Sequence, residues 1–126
     1  MKARETALRL KRFEADEKNR KVQELEQMIH EFEQMAHDLE RQVQAEEERT
    51  GVRDQQHFAY STFARSAEQR RQNLLASVSE LQEKLQFAVT ERDDVLAELD
   101  EVDALRERDT QRGQADGSRS TSAVAS

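Results

Sequence analysis

Apolar residues recur along the first half of the chain in alternating steps of three and four, at Val22, Leu25, Ile29, Phe32, Ala36, Leu39 and Val43. The same alternation returns in the second half at Leu74, Val78, Leu81, Leu85, Ala88, Arg92, Val95, Leu99 and Val102, with Arg92 the one charged interruption. A seam of this period, sustained over several heptads and flanked by charges, predicts coiled-coil helices rather than the faces of globular ones. Before Val22 the seam loosens. Leu8 and Ala15 keep its phase, but Lys11 and Lys18 stand where apolar residues belong, and Leu10 and Phe13 fall beside it.

The chain has no proline, so neither helix meets a breaker. Thr50-Gly51 is its best stop signal, because glycine takes the left-handed conformation after a last helical turn without a Cβ clash. Arg49 suits the negative end of the helix dipole, whereas Glu46, Glu47 and Glu48 oppose it. Asp54 can cap a short turn, and Ser61 or Thr62 can cap the second helix. The predicted fold is all-α, an antiparallel two-helix coiled-coil hairpin over residues 1–108. Helix one spans about 3–49, the turn about 50–60 and helix two about 61–108. Residues 109–126, with Gly113, Gly117 and a Ser/Thr/Ala ending, have the composition of a disordered tail.

Charge favours antiparallel pairing. Residues 2–12 carry Lys2, Arg4, Arg9, Lys11 and Arg12 against Glu5 alone, while residues 93–109 carry eight acids against Arg106 and Arg108. Folding back brings opposite signs together, whereas a parallel homodimer sets like against like. Each exposed term is worth only about 0–1 kcal/mol, so charge biases orientation without fixing it. The favoured register sets Val43 opposite Leu74, Ala36 opposite Leu81, Ile29 opposite Ala88 and Val22 opposite Val95, with Phe32 near Leu85 and Glu46 near Arg71. A slip of one heptad, with Ile29 opposite Leu81, ranks second because it faces Lys18 with Arg92 and Leu39 with Arg71.

Composition narrows the function. Of 126 residues 35% are hydrophobic and 37% charged, and mean hydropathy is −1.03. That leaves too little apolar material for a multilayered core. The absence of cysteine excludes disulfides and thiolate metal sites. The charged start lacks the apolar region of a signal peptide, and no run approaches the length of a membrane span, so a cytoplasmic protein without direct membrane insertion is expected. A net charge of −7 and pI ≈ 5.1 predict protein partners rather than nucleic acid or anionic lipid.

Candidate chemistry is sparse. His30 and His37 share a helix face but lie two turns, about 10 Å, apart, too far to hold one ion. His57 falls in the turn, where capping or surface exposure accounts for it. The sequence carries no glycine-rich phosphate loop, no activated serine or cysteine and no acid pair in an apolar pocket. No catalysis, cofactor or metal is expected. What remains is apolar surplus. Met28, Met35, Leu75, Val89 and Leu96 flank the seam and either thicken it or meet a partner. Leu10 and Phe13, beside a basic cluster where the seam is weak, suit a partner surface. A stripe of Tyr60, Phe63, Ala67, Arg70 and Leu74 either packs under the turn or meets a partner.

Two segments carry a resemblance. Leu8-Arg9-Leu10-Lys11-Arg12-Phe13 leads into Glu14-Ala15-Asp16-Glu17-Lys18, and His57-Phe58-Ala59-Tyr60-Ser61-Thr62-Phe63-Ala64 is followed by Glu68-Gln69-Arg70-Arg71 and Leu74. In these the chain resembles the FliJ family of flagellar type III export proteins, in its alphaproteobacterial style, over nearly its whole length except the tail. The resemblance implies a non-enzymatic coiled-coil stalk of the flagellar export ATPase ring, at the inner-membrane flagellar base, that also contacts the export gate's cytoplasmic domain and substrate chaperones. By position it implies that Arg9, Leu10, Arg12 and Phe13 meet the ATPase ring and that Phe63, Ala67, Arg70 and Leu74 meet the gate. The short Gly/Ser-containing C-terminus lacks the basic end of longer relatives. Two rivals stand beside this expectation, a structural parallel homodimer and a cytoplasmic holdase chaperone.

Overall fold

The computed structural model describes the backbone of residues 2–125 and the side chains of residues 2–114. The fold is all-α. Helix α1 spans Lys2–Thr50 and helix α2 spans Thr62–Ala125, and the two pack against each other as an antiparallel hairpin. Helix α2 continues past the expected end near Arg108, since Glu, Arg, Gln and Ala support a helix and no proline stops it. Its described side chains from Ala104 to Gln114 are all exposed, so this stretch adds nothing to the seam.

The chain divides into two compact units. One comprises Met1–Lys21 with Ala88–Ser126, here the terminal unit, and the other Val22–Phe87, the turn unit. In the turn unit the predicted three-four stripe is buried at Val22, Leu25, Ile29, Ala36, Leu39 and Val43 on α1 and at Val78 and Leu81 on α2, with Phe32, Leu74 and Leu85 half-buried. The buried row on α2 extends back to Ala64 and Ala67, beyond the predicted seam. In the terminal unit the buried apolar side chains are Leu8, Ala15, Ala88 and Val95.

The register is the slipped one. In the terminal unit Lys18 Nζ donates to Glu91 at 3.3 Å, and Lys11 Nζ donates to Glu98. Seven residues forward on α1 correspond to seven backward on α2, as an antiparallel heptad seam requires. The favoured register would have set Lys18 opposite Leu99, two turns further along. In the turn unit the expected Glu46–Arg71 pair is likewise absent. Glu46 binds Arg49 and Ser61, and Arg71 pairs with Glu68 at 2.9 Å.

The reason lies in Tyr60, Ala64 and Ala67. Slipping by one heptad extends the α2 seam toward its N-terminus and brings these side chains into one cluster with Leu39 and Val43, against which Val52 and Leu74 also pack. Burying them outweighs the two clashes that had counted against this register. Lys18 leans to Glu91, Arg92 turns to Asp93 at 3.2 Å, and Arg71 is taken up by Glu68.

The turn is closed by local hydrogen bonds. Gly51, at φ +75°, follows the last residue of α1 and donates its N–H to the Glu47 carbonyl at 2.8 Å, the left-handed C-cap that Thr50-Gly51 predicts. Asp54 Oδ1 accepts the Gln56 N–H at 2.9 Å. Ser61, rather than Thr62, caps α2, its Oγ accepting the Ala64 N–H at 3.2 Å.

Two substitutions test this account. Gly51→Ala is expected to cost about 1 kcal/mol in urea unfolding, since any Cβ is strained at this φ even though space surrounds it. Tyr60→Ala is expected to cost about 3 kcal/mol, because it empties a buried aromatic site under the turn. An exposed-residue effect below 0.5 kcal/mol for Tyr60→Ala would restore the unslipped register.

Candidate functional site

Two exposed regions, one in each unit, present the side chains available to a partner. In the terminal unit the first five turns of α1 turn Leu8 and Ala15 inward, and the helical repeat then carries Leu10 and Phe13 outward. They are 64% and 65% exposed, large values for apolar side chains, and three residues apart they share one face. Arg9 and Arg12 beside them are also exposed. Among the described residues neither has an ion-pair partner, although Arg4, Lys11, Lys18 and Arg20 nearby are each paired. The sequence-predicted patch is therefore assembled as one surface of two apolar and two unpaired cationic side chains. Phe13 also lines a shallow groove with Glu14, Glu17, Lys18, Lys21 and Glu91.

Lys11 sits on the inner side of this segment. Its ammonium pKa is raised, chiefly by its hydrogen bond to Glu98 and then by the one to Glu14 at 3.2 Å. This seam-position lysine is held charged by two carboxylates, one of them from α2.

At the turn end the predicted stripe of Phe63, Ala67, Arg70 and Leu74 is not brought to one surface. Phe63 is 57% exposed and Arg70 is exposed, but Ala67 is buried with Leu39, Val43 and Tyr60, and Leu74 packs half-buried on that cluster. The slipped register is the cause, because it spends Ala67 and Leu74 on the seam. Tyr60, which the sequence left open between core and partner, packs under the turn. Its phenol donates to Glu47 Oε1 at 3.0 Å and lies under the Arg65 guanidinium at 5.7 Å. Burial first, then the Glu47 bond, pushes its pKa up.

Around it Glu46 accepts from Arg49 Nη2 at 2.6 Å and from Ser61 Oγ at 2.9 Å. These donors hold its carboxyl down to about 2, the Arg49 bond contributing most. Glu46 and Glu47, two of the three acids that opposed the α1 dipole, are thus taken up locally by Arg49, Ser61 and Tyr60.

Two aromatic side chains stand out further than the sequence pattern indicated. Phe58 is 95% exposed at the turn, stacked on His57 with ring centroids 4.6 Å apart, and His57 Nδ1 accepts the Ala59 N–H at 3.0 Å. Phe87 is 67% exposed. It falls between the seam positions Leu85 and Ala88, and that off-phase placement is the signal that turns it outward. Met28, Met35, Leu75 and Leu96 are each more than one-third exposed, so they border the seam without closing over it.

Among the described residues no group of three or more His, Cys, Asp or Glu is placed to hold a metal ion. His30 is exposed, and His37 Nδ1 lies 3.9 Å from Glu40. No described helix is long and apolar enough to cross a membrane. Compared with family models, curated proteins and solved structures, the chain gives no match.

The Glu46 cluster has a pH signature. Its folded-state pKa is depressed, so its stabilisation is complete above the ordinary glutamate value and is lost as pH falls toward about 2. Across that window Glu46→Gln is expected to lose less melting temperature than the parent chain, followed by circular dichroism, while the two share a slope above pH 6. Parallel acid limbs for the two proteins would show that the Arg49 and Ser61 bonds carry no linkage.

Proposed function

We propose that this chain is a non-enzymatic coiled-coil stalk of a flagellar type III export ATPase ring, working in the cytoplasm at the inner-membrane flagellar base. The observation that carries this proposal is the exposed face of Leu10 and Phe13 with the unpaired Arg9 and Arg12. It lies in the segment that resembles the start of the FliJ family. Apolar side chains rimmed by free cations suit a partner surface of apolar and acidic groups, with the aromatic ring as anchor. The antiparallel hairpin is the architecture that the resemblance requires.

In this role the terminal unit contacts the ATPase ring through Arg9, Leu10, Arg12 and Phe13. Contact with the gate's cytoplasmic domain then rests on Phe63 and Arg70, with Ala67 and Leu74 holding α2 in place beneath them. Substrate chaperones are the third class of partner. Paired helices suit coupling because a packed seam passes on displacement with little internal rearrangement. A parallel homodimer is disfavoured by the cross-helix pairs within one chain, which occupy the seam it would need.

The test is binding to the flagellar export ATPase of the same cell. Leu10→Asp and Phe13→Asp are each expected to weaken binding by about 2 kcal/mol, roughly thirtyfold, if they are interface anchors. Their helical content should remain unchanged, since both side chains point to solvent. Undiminished ATPase stimulation by both variants refutes the stalk role. General protection of unrelated proteins from aggregation would instead identify a holdase.

A further inference from the structure

In the terminal unit, charge occupies the seam itself. Lys11 and Lys18 stand in the phase of Leu8 and Ala15 on α1, Arg92 stands in the phase of Ala88 and Val95 on α2, and all three are half-buried. Among the described residues of this unit four apolar side chains are buried, and two of them are alanines, so burial contributes little here. The helices are joined instead by ion pairs, Arg4 with Asp109, Lys11 with Glu98 and Lys18 with Glu91. Between 32% and 52% of each of these six side chains reaches solvent. Salt therefore screens them.

The turn unit is built the other way. Among its described residues every ion pair lies within one helix, as in His37–Glu40, Arg49–Glu46 and Arg71–Glu68. At its closed end the connection is held to α1 by the uncharged donors Tyr60 and Ser61. Its seam is apolar nearly throughout. High salt does not weaken apolar burial.

We propose that the terminal unit is closed by an electrostatic latch, whose release parts residues 2–21 from residues 88–109 while the turn unit stays folded. Release uncovers two amphipathic stripes, Leu8 and Ala15 on one helix and Val95 and Leu99 on the other. Helical stability in such a polar segment comes mostly from packing of its apolar face, so its amides fray and lose protection once it parts. The latch thus converts ionic conditions into exposure of apolar surface at one end of each helix.

Hydrogen exchange of the full chain, read by mass spectrometry at about 0.05 M and about 1 M NaCl, tests this. The Debye length falls to about 3 Å at the higher salt. Exchange over residues 8–20 and 89–101 is expected to quicken roughly tenfold, as three pairs worth up to about 1 kcal/mol each are screened. Exchange over residues 25–43 and 64–85 should change less than about twofold, since no cross-helix ion pair is lost there. The double variant Lys11→Leu/Lys18→Leu supplies apolar side chains at the same seam positions, and it should exchange more slowly in the terminal segments and lose most of the salt response. Salt-independent exchange in the parent chain overturns the latch, as does equal quickening in both units. An undiminished salt response in the double variant also overturns it.

Discussion

Everything in this structure depends on burying one apolar stripe per helix against the other. With more than a third of its residues charged, the chain has apolar side chains for a single seam and little beyond it. Neither helix has a second hydrophobic face to bury, and a polar helix standing alone in water is weakly favoured at best. Fully burying a valine or leucine contributes about 1.5–3 kcal/mol, so the row from Val22 to Val43 with its α2 counterparts is the main source of order in the turn unit.

The same dependence explains how the turn is made. The connection of residues 51–61 is fixed at one end by the left-handed Gly51 and at the other by the Ser61 cap. Tyr60 lies between them with its ring in the core and its hydroxyl on Glu47. A tyrosine suits this place because one side chain supplies both apolar area and a hydrogen bond at a boundary with solvent. Glu46 and Glu47 would repel each other at a helix C-terminus, and they are instead shared among Arg49, Ser61 and Tyr60.

The proposed stalk role draws on side chains that the seam leaves over. Leu10, Phe13, Phe58, Phe63 and Phe87 are all more than half exposed, an unusual number of large apolar side chains for so small a supply. Side chains that the fold does not use and water does not favour are the natural material of a protein interface. The two arginines without partners beside Leu10 and Phe13 give that surface a charge as well as a shape. The stripe of Phe63, Ala67, Arg70 and Leu74 near the turn is divided by the core, and what it offers a partner is Phe63 and Arg70.

The sequence by itself determined that two long helices each carry one apolar seam, and its charges favoured antiparallel pairing without fixing it. Steps of three and four can lie on one side only of a helix, Gly51 ends α1 and Ser61 or Thr62 can start α2 by local backbone chemistry, and the opposed charges of residues 2–12 and 93–109 favour folding back. The register was decided only in the tertiary structure. A heptad seam maps onto itself after a shift of seven residues, so neighbouring registers differ by a few layers whose balance periodicity cannot rank. Tyr60, Ala64 and Ala67 tipped that balance. They belong to the seam only when α1 lies across from them, and the same choice set Ala67 and Leu74 inside while leaving Phe63 and Arg70 outside.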